Sequence, residues 1–239
     1  MKGMEDLGRM TPSSFQKWFF VFTAVMMFIA MYLVFIWTPI ERNMGIVQKI
    51  FYFHVASAWN AFFAFFIVAV FSVLFLVTKK RVYELMAGVS AEIGVIFTAI
   101  VLTTGPIWAR SAWNTWWTWE PRLTTTLILF FMYIGYIMIR NLDMEWQRKA
   151  RLASVFGIIS FINVPIVYMS IRWWESNLHP VVVGQGGGGL ETSMLITLIF
   201  SVFTFTCLFV VLMQRGLQVE KLRLAVARLK SRKQERMIS

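Results

Sequence analysis

Residues Ala56 to Val77 read ASAWNAFFAFFIVAVFSVLFLV, twenty-two residues without a charge. As a helix rising about 1.5 Å per residue, that run is about 33 Å long, which matches the roughly 30 Å hydrocarbon layer of a bilayer. Lys79-Lys80-Arg81 follows at once, as expected of a chain leaving the membrane on its basic side. Five further runs of the same kind flank it: Trp18–Trp37, Leu85–Thr104, Leu123–Ile139, Leu152–Ile171 and Leu190–Met213. The first ends at Trp37 and Pro39 without a small-residue cleavage site, so it reads as a retained span rather than a signal peptide. The expected fold is therefore all-α: a polytopic membrane protein of six transmembrane helices, forming one domain over residues 1–239.

Composition agrees with this reading and narrows the function. Of 239 residues, 58% are hydrophobic and only 15% charged, which excludes a soluble enzyme and a disordered chain. One cysteine, Cys207, sits within an apolar run, so no disulfide scaffold or thiol pair exists. The net charge of +11 would suit nucleic acid, but topology accounts for it without that partner. An even number of spans places both termini on one side. The terminal and connecting segments of that side hold eighteen Lys and Arg residues, against five on the other. The positive-inside rule makes the eighteen-residue side, with both termini, cytoplasmic.

That inner side reads as connectors and anchors. Lys79-Lys80-Arg81 and Arg148-Lys149-Ala150-Arg151 are expected to be tight basic turns. In the tail, residues 214–239, Leu217, Leu222, Val226 and Leu229 fall near one helical face among eight basic residues, the pattern of a helix lying on an anionic leaflet. Glu92, inside the third span, is an ionisable group in the membrane. Ala87, Gly88, Ala91 and Gly94 around it form a small-residue packing face.

The outer side concentrates the chemistry. Nine of the eleven tryptophans lie in or beside its connections, whereas an interfacial aromatic belt would mark both sides. The densest stretch is the outer loop 105–122, which holds Trp113, Trp116, Trp117 and Trp119 and ends in Glu120, Pro121 and Arg122. Four indoles beside the bilayer make a platform for a flat apolar ligand, and Arg122 can pair with an anionic edge. Pro121 suits the first turn of the fourth helix. The only two histidines, His54 and His179, also fall on this side. A planar macrocycle with central iron takes one imidazole on each face and needs cations for its carboxylates, so haem fits all three features. Behind His179, Gly184 to Gly189 gives the loop reach.

The stretch Trp113 to Thr124, W-N-T-W-W-T-W-E-P-R-L-T, resembles the signature W-G-x-W-W-x-W-D-x-R-L-T of the tryptophan-rich haem-handling proteins of cytochrome c biogenesis, most closely the haem exporter protein C family. Asn114 replaces glycine and Glu120 replaces aspartate. The resemblance implies a non-catalytic protein of the bacterial inner membrane that binds haem b (iron protoporphyrin IX) transiently at the periplasmic face. It implies His54 and His179 as axial ligands, Trp113, Trp116, Trp117 and Trp119 as platform, and Glu120 and Arg122 as polar edge. The implied partners are a membrane-anchored periplasmic haem chaperone, a small single-span accessory protein and the ATP-binding cassette transporter subunits of the maturation system. The competing reading is a haem-free membrane subunit or transporter whose tryptophan-rich loop binds a quinone, a lipid or a partner helix. A transmembrane b-type cytochrome would need histidine pairs within the spans.

Overall fold

The computed structural model describes residues 13–42, 44–173 and 190–238, and among these the regular structure is helical. Helix α1 (Ser14–Tyr32) starts at a capping box: Gln16 N–H donates to Ser13 Oγ at 3.2 Å, and Ser13 N–H donates to the Gln16 side chain at 3.0 Å. It continues into a π-helical turn, Leu33–Trp37, closed where the Thr38 hydroxyl meets the Leu33 carbonyl and, 2.7 Å away, Thr197 Oγ1. A 3₁₀ turn, Ile46–Lys49, leads into α2 (Ile50–Thr78). Then come α3 (Arg81–Trp113), α4 (Pro121–Arg140), α5 (Trp146–Phe161), α6 (Asn163–Trp173) and α7 (Thr192–Ile238).

Six of the helical stretches are long and apolar enough to cross a membrane: Ser14–Trp37, Ile46–Thr78, Arg81–Ser111, Pro121–Arg140, Trp146–Ser170 and Thr192–Glu235. The fifth combines α5 and α6. Pro165 cannot donate to the carbonyl four residues back, and the helix breaks at Ile162 just before it. The side chain of Asn163 then donates to the Thr125 carbonyl at 2.9 Å, tying the restart to α4.

The helices outrun the apolar runs. α2 starts six residues before Ala56, so His54 stands on a helix rather than in a connection, and α3 continues through Gly105–Trp113. At the other end, Arg148–Arg151 is not a turn but part of α5, because the reversal is completed over Asn141–Glu145. The tail continues α7 without a break.

The bundle closes around small residues. Ala56, Ala61, Ala64, Ala87, Ala91 and Ala153 are buried, which lets α2, α3 and α5 approach closely. Ser90 donates to the Ala64 carbonyl at 2.8 Å, and Phe65 stacks on Tyr133 with centroids 3.6 Å apart. At the end away from the tryptophans, Arg140 of α4 bonds Glu84 of α3 at 3.0 Å. Its guanidinium occupies the space where Gly88 would carry a side chain, so any larger residue there would displace it. Glu92 lies on the outside of α3 and Cys207 is buried.

Candidate functional site

α3 ends because Asn114 adopts a left-handed conformation, φ 57°, with Arg110 donating to its carbonyl at 2.8 Å. Asparagine is among the few residues besides glycine that take this conformation readily, so its presence in place of a signature glycine has a backbone reason. Residues 115–120 then run back across the bundle end to Pro121, the first residue of α4. This return strap and the ends of α2, α3 and α4 border an open cleft of about 60 Å³. That is below the roughly 300–1,000 Å³ of closed cofactor sites, so a flat ligand would enter by one edge and leave the rest outside.

His54, Trp108, Trp117, Glu120, Arg122 and Thr126 line this pocket, with Gly105, Pro106 and Leu102 completing the α3 wall. His54 is oriented from behind. Its Nδ1 lies 2.9 Å from Thr104 Oγ1, and the Thr104 hydroxyl spends its single hydrogen on the Ile100 carbonyl at 2.7 Å. Thr104 therefore accepts, Nδ1 carries the proton, and Nε2 is the nitrogen with the lone pair. This is the tautomer of a metal-binding imidazole held by its outer neighbour. The Trp108 ring, nearly fully buried, lies 6.3 Å from the His54 ring and 6.2 Å from Phe51.

On the opposite wall, Trp117 is half-buried and its Nε1–H has no hydrogen-bond partner among the described residues. Trp119 meets it edge-on, 5.7 Å between centroids at 79°, and is itself 75% exposed. Arg122 is half-buried on the first turn of α4, with the Glu120 carboxylate and the Arg172 guanidinium close enough to act on its charge. Among the described residues no three of His, Cys, Asp or Glu converge, so a bare metal ion has no cage there. One oriented imidazole, an apolar slot with an unused N–H donor and a guanidinium at its edge fit a flat, iron-centred, anionic ligand.

Of the residues expected from sequence, His54, Trp117, Glu120 and Arg122 come together on one pocket. Trp116 and Trp119 are exposed beside it. Trp113 is the last residue of α3, and its side chain is not among those described. His179, Trp174 and the glycines from Gly184 to Gly189 lie outside the described residues. Sequence reasoning missed Thr104 and left Trp108 among the interfacial aromatics. The available signal was the helical spacing of Thr104 and Trp108, which places them one turn apart on one face.

The family described as Heme exporter protein C matches residues 7–234 of the chain. A cytochrome c biosynthesis ccmC-like mitochondrial protein of Marchantia polymorpha is 38% identical over 173 residues, 71% of this chain and 73% of the relative. Heme exporter protein C of Bradyrhizobium diazoefficiens is 36% identical over 200 residues, 83% and 76% of the two chains. The protein of the same name from Escherichia coli K12 is 30% identical over 181 residues, 74% and 71%. The match runs from before α1 far into the tail of α7 and takes in the whole pocket, and the chain belongs to the heme exporter protein C family.

Proposed function

We propose that this chain holds haem, as cargo rather than as a catalytic group, at the tryptophan-rich end of the bundle and hands it on during cytochrome c maturation. The observation that carries the reading is His54: an imidazole fixed by Thr104 in the metal-binding tautomer, lining a pocket with Trp117 and Arg122. His179 is the second axial ligand in this reading. Trp113, Trp116, Trp117 and Trp119 form the walls and rim, Arg122 meets a carboxylate of haem b, and Glu120 limits the charge there. The pocket is open, which suits transient binding and release to a membrane-anchored haem chaperone. The small single-span protein and the transporter subunits assist that hand-over.

The eighteen-to-five distribution of basic residues supports cytoplasmic termini, hence a periplasmic site in a bacterial inner membrane. A reporter active only outside the cytoplasm is expected to work when fused after Asn114 or Gly187 and to fail after Lys80 or at the C-terminus. The purified protein, with and without the accessory subunit, is expected to show the Soret band of low-spin haem. A spectrum without that band in both preparations would reject the reading in favour of a haem-free subunit that binds a quinone, lipid or helix.

A further inference from the structure

The end of α7 carries a feature that haem binding does not use. Met194 and Leu198 of α7 pack with Trp108 near the end of α3, whereas Gly216 meets Val89 near its start, so the two helices run antiparallel. Gly216 sits so close to Val89 that no side chain would fit between them, and this contact fixes their relative height. Arg81, where α3 begins, lies about 12 Å along the axis from Val89, level with the Arg223 to Leu224 turn of α7. α7 continues unbroken to Ile238, about 21 Å beyond that level.

Across this level, Val219 and Leu222 before it and Val226 and Leu229 on the projecting stretch recur at alternating intervals of three and four and are 39–51% exposed. That is two heptads of an a/d seam. A hollow lined by Val219, Leu222, Arg223, Val226, Ala227 and Lys230 follows it. Arg223, which pairs with Glu220 at 2.7 Å, and Lys230 take the flanking e positions, and Lys221 and Arg228 add charge on the other side, so the stretch stays net basic. An apolar seam standing in water favours cover. Because α7 is one unbroken helix running antiparallel to α3, the far half of the seam leads past the start of α3. A second copy in antiparallel register would oppose Arg223 and Lys230 with their own counterparts. In parallel register they would face Gln218 and Ala225, so a second copy brings no acidic partner at these positions.

We propose that the seam docks an amphipathic helix of a partner protein, apolar along its centre and acidic along its edges, on the side of the bundle away from the tryptophans. Charge complementarity selects this occupant. The test places the photo-crosslinker benzoylphenylalanine at the exposed Val226 position of the full chain in its native membrane and sequences the joined peptide by mass spectrometry. The expected product is an acidic amphipathic helix of another protein, with the yield falling about fivefold or more in the Arg223→Glu/Lys230→Glu variant at unchanged protein level. A crosslink to lipid, to residues 1–12, to a second copy or to nothing would overturn the proposal, as would a yield indifferent to charge reversal.

Discussion

The two ends of the bundle use charged residues in opposite ways. At the end away from the tryptophans, polar side chains consume one another: Arg140 bonds Glu84 and fills the gap at Gly88, and Arg81 lies 5.1 Å over the Trp146 ring. At the tryptophan-rich end, His54, Trp117 and Arg122 converge on a shared empty space. The Arg140–Glu84 pair ties α4 to α3 and is spent on the fold, whereas the groups at the open end line space that the chain does not fill. The two ends should therefore respond differently to mutation. Haem retention reads one, and the melting temperature of haem-free protein reads the other.

His54→Ala should have the largest effect, loss of the low-spin haem spectrum with partial recovery on adding imidazole, while the haem-free protein melts as before. An unchanged spectrum would show that other ligands hold the iron. At the opposite end, Gly88→Leu should displace the Arg140 guanidinium from Glu84 and lower the melting temperature of haem-free protein, at a cost below the roughly 3–5 kcal/mol of a fully buried pair, because the two side chains are 14% and 15% exposed. Melting equal to that of the parent would mean that Arg140 relaxes elsewhere without cost, and the contrast between the ends would lose its basis.

Thr104→Val removes the acceptor behind His54 with little change in volume. Haem retention should fall about 10- to 100-fold, the usual effect of losing a metal ligand's outer partner. Thr104→Ser should restore it, and a serine variant as weak as the valine one would assign the loss to packing instead of orientation. The smallest expected change is in Trp117→Phe, which removes the unpartnered Nε1–H and should weaken haem retention by about 0.5–1.5 kcal/mol. Trp119→Phe, at an exposed ring outside the pocket lining, should change less. Equal losses in a haem-titration series would return both tryptophans to a common rim role.

Six membrane-length helices were legible in the sequence because bilayer thickness fixes the length of an apolar run. Helix ends were not, because backbone hydrogen bonding continues wherever nothing stops it. Phe51–Val55 and Gly105–Trp113 remain helical although they carry polar residues and, at Pro106, a proline. The candidates His54, Trp117, Glu120 and Arg122 were chosen by chemistry and line one pocket, but that geometry was not legible. Thr104 is fifty residues from His54 and became its partner only through the packing of α2 on α3. The course of the tail was not legible for a related reason. Its apolar and basic pattern fits a membrane surface and a partner helix equally well, and its unbroken continuation of α7 leaves no mark in that pattern.

The Arg140–Gly88 contact also acts as a ruler. Arg140 and Arg122 lie on the same rigid helix, about 27 Å apart along its axis. A guanidinium seated beside Gly88 favours one register of α4 against α3. Slippage by one turn would part Arg140 from Glu84 and carry Arg122 about 5.4 Å along the axis from the pocket it lines. The alignment of the pocket is thus held from the far end of the bundle, by a residue outside its lining.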